Sequence, residues 1–231
     1  MSPALPFLPH QCEVCRQWSG SALCPDCVAR YAMVRPRCAC CGLALGVAAP
    51  RCGDCLRDPP PFTHTVCVAD YGFPWDALIG AFKFRGRAEL AGLLAARLVA
   101  AVQAAALPAP ALVLPVPLSP RRLADRGYNQ AWELARRAAA ALQLPADATL
   151  LQRPLETAHQ AELGRGDRQR NLRTAFMADP RRRAVLQGAH VALVDDVMTT
   201  GATAREASTV LLRAGASAVD LWVLARTPEP G

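Results

Sequence analysis

His190-Val191-Ala192-Leu193-Val194-Asp195-Asp196-Val197-Met198-Thr199-Thr200-Gly201-Ala202-Thr203 is the stretch whose reading decides the fold. An apolar run of strand length ends in two adjacent carboxylates. A hydroxyl-rich turn with Gly201 follows, and then Ala204, Ala207, Val210, Leu211 and Ala214 recur at helical spacing. Strand, acidic pair, turn and helix start together suit a ribose 5-phosphate. Such a turn offers successive backbone N–H groups and a helix N-terminus to a phosphate. Two carboxylates at the carboxyl end of a strand reach sugar hydroxyls as acceptors.

A blander reading competes: a buried strand whose Asp pair makes an Asx-type turn and caps the next helix. That accounts for one carboxylate but hardly for two beside Thr199, Thr200 and Thr203. The stretch is not a Walker A loop, because no Gly-Lys-Ser/Thr occurs in the chain.

Outward from this stretch, the 231 residues fit one large domain or two smaller ones, and with 52% hydrophobic residues a buried core is expected. The net charge of +7 suits a polyanionic ligand, a pyrophosphate or a nucleic acid. Lys83 is the single lysine among 26 basic residues; with so much Ala and Pro, a GC-rich genome explains most of the arginines. Residues 1–10 lack the basic start and long apolar core of a secretory signal. The most hydrophobic span, 90–107, is broken by Arg97 and Gln103 and reads as a core helix rather than a membrane span. A cytoplasmic protein without membrane insertion is expected, in which close cysteine pairs point to metal rather than disulfides.

Eight of the ten cysteines form four Cys-x-x-Cys pairs: Cys12/Cys15, Cys24/Cys27, Cys38/Cys41 and Cys52/Cys55. Each pair sets two thiolates on one side of a tight knuckle, and two knuckles complete a tetrahedral four-sulfur zinc site. Two structural zinc ions are therefore expected, with redox dithiols as the competing reading. Sequential and interleaved pairing both satisfy the spacing. Gly42 and Gly53 follow ligand cysteines, where tolerance of positive φ helps; Cys40 and Cys67 read as spare thiols. Pro59-Pro60-Pro61 reads as a stiff linker. It divides a zinc-ribbon domain at 1–61 from a second domain at 62–231.

In the second domain, strands are expected at 65–71, 111–116 and 218–225 and helices at 75–86, 89–106 and from Asn129 to about 142. Asn129 would cap the last of these and Gly215 would stop the helix after the acidic stretch. Strands alternating with helices indicate an α/β fold with a parallel sheet. Lys83 and Arg85 end a helix, where the dipole favours cations or where they would face an anionic ligand. Arg121, Arg122 and Arg126 are read on a loop leaving a central strand, suited to pyrophosphate or simply solvated. Residues 153–173 form a charged loop with Arg165, Arg168, Arg170 and Arg173, read as a lid, an ordinary exposed loop or a nucleic-acid contact.

The stretch from Val194 to Thr203 resembles the phosphoribosyl-diphosphate (PRPP) signature of type I phosphoribosyltransferases. As a whole the chain resembles the ComF/GntX-type proteins, a double zinc ribbon followed by a type I phosphoribosyltransferase-like parallel sheet flanked by helices. The resemblance runs through the four cysteine pairs, Phe82-Lys83-Phe84-Arg85-Gly86, Val116-Pro117-Leu118 and Arg126-Gly127-Tyr128-Asn129-Gln130, then Gln160, Arg168 and Asn171. It departs at Ala202, where a serine is common. The resemblance implies PRPP with Mg²⁺ as ligands and transfer of ribose phosphate to an acceptor. Asp195 and Asp196 would hold the 2′ and 3′ hydroxyls, and Thr199, Thr200, Gly201, Ala202 and Thr203 the 5-phosphate. Arg121, Arg126, Lys83 and Arg168 would neutralise the departing pyrophosphate. No residue stands out as a general base. The resemblance also implies a link to DNA uptake in competent bacteria, with single-stranded DNA or a DNA-uptake helicase as candidate partners. The rival reading is a non-catalytic single-strand-binding or adaptor protein that keeps the fold without turnover.

Overall fold

The computed structural model describes residues 10–154 and 175–228. In chain order they form β1 (His10–Gln11), β2 (Trp18–Ser19), α1 (Pro25–Tyr31), α2 (Gly53–Arg57), β3 (Thr65–Asp70), α3 (Trp75–Phe84), α4 (Leu90–Ala105), β4 (Leu112–Pro115), α5 (Pro120–Arg126) and α6 (Gln130–Leu142). Then come β5 (Leu151–Gln152), β6 (Met177–Ala178), a 3₁₀ segment (Pro180–Leu186), β7 (His190–Met198), α7 (Ala202–Arg213) and β8 (Ala218–Arg226). The central sheet is parallel throughout, in the order β3-β8-β7-β4. It is the α/β architecture expected from the alternation of strands and helices.

The apolar runs of β7 and β8 are buried on both faces, as an interior parallel strand must be. Side chains of a strand alternate between faces. Ala192, Val194, Trp222 and Leu224 accordingly pack with α3, α4 and α6, while Val191, Leu193, Leu221 and Val223 pack with α7. On α4 the buried stripe is Leu90, Ala91, Leu94, Ala95 and Leu98; on α6 it is Ala131, Leu134, Ala135, Ala138 and Ala139. The outer edge of β4 is covered by Pro145 and Asp147, which exchange backbone hydrogen bonds with Val113.

Two expectations need correction. The arginine-bearing segment after β4 is not a loop: Ser119 accepts a hydrogen bond from the Arg122 amide and Pro120 opens α5, a Ser-Pro start that favours a helix. Gly42 has the expected positive φ of 68°, but Gly53 instead begins α2. The cap on α6 is as expected, with Asn129 Oδ1 accepting from Ala131 at 2.9 Å and Trp132 at 3.4 Å.

After β4 the chain leaves on the α6 face, and after β7 on the α7 face. Neighbouring parallel strands whose connections depart to opposite faces leave a crevice between their carboxyl ends. The site lies in that crevice.

Candidate functional site

β7 continues through both carboxylates to Met198, so alternation sends Asp195 and Asp196 different ways. Asp196 is almost wholly buried, and its Oδ2 lies 2.8 Å from Lys83 Nζ at the end of α3. Its Oδ1 accepts the Val197 amide at 2.7 Å. Asp195 accepts the Asp196 amide at 2.8 Å. Burial, then the neighbouring Asp196 charge, push the Asp195 carboxyl well above its ordinary range, although Lys83 and the Asp196 amide oppose this.

Asp195 borders two spaces. One is a cavity of about 50 Å³ walled by Val197, Met198 and the turn from Thr199 to Ala204. That is several times the ~10–15 Å³ a single water needs. Gly201 has φ 79°, and a Cβ there would lie 2.9 Å from the Met198 methyl, so the turn requires glycine. The N-cap Gly201 has no side chain to cap α7; Thr200 Oγ1 just before it accepts from the Ala202 amide at 3.4 Å, and the amides that follow in the first turn have no partner within the helix. Thr199, Thr200, Ala202 and Thr203 are exposed.

The other space is a cleft of about 800 Å³ lined by Asp195, Asp196, Thr203, Lys83 and residues 116–118, together with Arg122, Arg126 and Arg153. Arg126 donates to Gln130 Oε1, and its guanidinium lies 5.0 Å from the exposed Phe84 ring. Tyr128 donates its hydroxyl hydrogen to the Phe82 carbonyl, tying α3 to the start of α6. Of the residues singled out from sequence, Asp195, Asp196, Thr203, Lys83 and Arg126 meet in this cleft, and Thr199 to Thr203 surround the adjoining cavity. Arg121 is exposed on α5 and does not line the cleft, whereas Arg122 does. Arg168, with Gln160 and Asn171, lies outside the described residues.

Sequence reasoning passed over Arg153 and Arg226. Arg153 is the first residue after β5, with its guanidinium 5.4 Å from the Phe176 ring. The signal for Arg226 was its place at the end of the last strand, but only the strand register sets it opposite Met198.

The cysteines resolve into two groups, Cys12/Cys15/Cys24/Cys27 and Cys38/Cys41/Cys52/Cys55, each with its sulfurs within 4.8 Å of one another. Pairing is sequential. The Cys24 amide donates to Cys12 Sγ at 3.4 Å and the Cys27 amide to Cys24 Sγ at 3.4 Å, as in a metal knuckle. Burial disfavours the Cys12 thiolate, but amides of Cys24, Cys15 and Val14 outweigh it and bring the thiol down to about 6. Cys38 comes down to about 7 in the same way, with the Cys41 and Cys52 amides outweighing burial. Four convergent sulfurs in a closed shell fit a double zinc ribbon and leave no open position for water. Among the described residues no helix is long and apolar enough to cross a membrane.

No protein-family model matches the chain. It is 37% identical over 230 residues to a DNA utilization protein, YhgH, of Salmonella typhi, covering 95% of this chain and 98% of that one. It is 34% identical over 233 residues to competence protein F of Haemophilus influenzae, again with 95% and 98% covered. Among solved structures, the allosteric regulatory enzyme of purine biosynthesis is similar at 22% identity and a TM-score of 0.39, over 58% of this chain and 25% of that one. At that score the fold is carried by the strand order and layers described above.

Proposed function

The chain belongs to the family of competence protein F and DNA utilization protein YhgH, and from that premise we propose that its crevice binds PRPP and transfers ribose 5-phosphate. The observation that carries this reading is the position of Asp195, which borders both the small cavity at the turn and the basic cleft. A sugar placed against Asp195 has a phosphate-sized recess on one side and Lys83, Arg122, Arg126 and Arg153 on the other. The first-turn amides of α7 and the turn before it would hold the 5-phosphate. Asp195 and Asp196 would accept from the ring hydroxyls and stabilise positive charge as the bond to pyrophosphate lengthens. Lys83 serves twice, holding Asp196 and facing the polyphosphate. Arg126, kept in place by Gln130 and Phe84, would bind the departing oxygens in a forked pair. Catalysis of this kind works by placement and charge rather than by a covalent nucleophile.

Mg²⁺, when bound, would offset charge on the pyrophosphate, and it suits a site that meets the ion through substrate phosphates and one or two carboxylates. The two cysteine groups would each hold a structural zinc, which fits a protein of the reducing cytoplasm. The relatives' names place them in DNA utilization and competence; for this chain we propose the same role. Single-strand binding without turnover is the rival, since fold alone does not establish chemistry.

Titration calorimetry with PRPP and Mg²⁺ tests the reading. Binding by the native chain and its loss in Asp195→Asn are expected. Absence of binding by the native chain overturns the proposal. Single-strand affinity that falls steeply with salt and is indifferent to Asp195→Asn favours the rival.

A further inference from the structure

Arg226 closes β8, and the register sets it opposite Met198, the last residue of β7. Its guanidinium is shared among backbone carbonyls from two distant parts of the chain. Nε donates to the Cys41 carbonyl at 3.1 Å. Nη1 donates to the carbonyls of Met198 at 3.3 Å, Thr199, and Thr227 at 2.7 Å. Cys41 belongs to the second cysteine group, and Met198 and Thr199 begin the turn that walls the small cavity. A second tie runs parallel to the first: Arg205, in the first turn of α7, donates to the Asp58 carbonyl at 2.9 Å and pairs with its carboxylate at 3.1 Å. Asp58 is the C-cap of α2, the helix that carries Cys55.

We infer that Arg226 is a positioning residue through which the Cys38/Cys41 knuckle holds the turn in its anion-accepting shape. The peptide plane supplies the reason. In a trans peptide C=O and N–H point in opposite directions, so carbonyls of Met198 and Thr199 drawn to the guanidinium send the following two amides away from it. The Met198 carbonyl also accepts the Thr227 amide at 3.0 Å and keeps that bond without the cation. The Thr199 carbonyl is then free to turn, and a carbonyl facing the cavity repels a phosphate. Charge-assisted hydrogen bonds of this kind are the stronger class. The guanidinium fork also fits four carbonyls in a way that the point charge of lysine does not. The knuckle and the turn are thus two ends of one hydrogen-bonded unit, standing on either side of a cavity of about 400 Å³. Ordering at one end then stabilises the other, and the coupling is reciprocal.

This inference rests on reading the turn as an anion site, but its test does not need the ligand. Amide hydrogen exchange is measured on the zinc-loaded full chain as the native protein, Arg226→Lys and Arg226→Gln, without ligand. In Arg226→Gln exchange speeds by roughly tenfold or more, the loss of a charged hydrogen bond, at both 38–45 and 198–205. The core strands at 191–194 and 219–224 keep native protection. Arg226→Lys, the variant expected to fold if the glutamine one does not, gives a smaller change at the same two segments. Loosening of one segment alone, or of neither, overturns the coupling. A PRPP titration separates the two ideas. Coupled exchange in a chain that binds no PRPP removes the function proposed above and keeps Arg226 in its role. Native PRPP affinity in Arg226→Gln with unchanged exchange removes the role and keeps the function.

Discussion

Asp195 and Asp196 are adjacent in sequence, yet strand geometry gives them different partners. Asp196 is neutralised by Lys83 in a nearly buried pair, the arrangement in which a carboxylate is worth burying. Asp195 has no cation at contact distance among the described residues, and its carboxyl is raised by burial and by Asp196. Keeping such a group in the crevice costs stability, and the cost has a sign in pH. Below the ordinary value of 3.8, folded and unfolded chains both carry the proton and the group is neutral in the balance. Above it the unfolded chain releases a proton that the folded chain retains. Stability therefore falls as pH rises, until the folded group also ionises. Asp195→Asn removes this dependence. Its urea midpoint should exceed that of the native chain at pH 7.5, with the difference shrinking toward pH 4. A difference that stays constant or reverses over that range is incompatible with a raised Asp195. The acidic pair was legible in the sequence as residues at the carboxyl end of a strand, but not its division of labour, because the strand was expected to end with the acids and in fact runs on to Met198.

Helix α6 shows how an element can be legible while its purpose is not. Its stripe and Asn129 cap follow from spacing and composition. The second bond of Asn129 does not: Nδ2 donates to the Val116 carbonyl at 3.1 Å, fastening the helix start to the end of β4 where the cleft begins. α5 was missed because its arginines suggested a phosphate loop, although Ser119 and Pro120 are a helix start. β5 and β6 were missed too, since two-residue strands carry no period to detect. For Asn129→Ala the lost cap costs about 1 kcal/mol. In a chain of this size that is roughly 2–4 °C of melting temperature. Asn129→Asp keeps the cap acceptor and loses the donor to Val116, so thermal unfolding should place it between native and alanine. Equal melting of the two variants would assign the whole effect to Val116.

On the scale of the molecule the cysteine segment is built into the sheet's two layers. Cys12, Leu23, Cys24 and Cys27 share a core with Trp75, Phe82 and Leu90, on the α4 face. Cys38, Cys41, Cys55 and Phe62 share the other with Leu193, Ala207 and Leu211, on the α7 face. Hydrogen bonds cross between the cysteine segment and the sheet at several points. Trp75 Nε1 donates to the Tyr31 carbonyl at 2.7 Å and the Thr65 amide to the Ala39 carbonyl at 2.8 Å. Arg37 pairs with Asp70 at 2.7 Å and Arg87 with Glu13 at 2.9 Å. None of these was readable from sequence, because each joins residues far apart in the chain; Arg226 and Cys41 are separated by 185 positions. What the sequence did offer was a proline run that looked like a boundary. We expect the two segments to unfold together despite it. Metal-binding energy is folding energy for a segment this poor in large apolar residues, and here its loss exposes apolar surface on both faces of the sheet. Scanning calorimetry of the zinc-loaded chain should give one transition. After chelation the transition should move down by tens of degrees or disappear, with near-ultraviolet circular dichroism lost alongside, since Trp75 and Trp222 both sit in the core shared with the first cysteine group. Two resolved transitions, with the sheet melting at its native temperature after the metal is removed, would support an independent boundary at 61 and show that the knuckles only rest on the layers they touch.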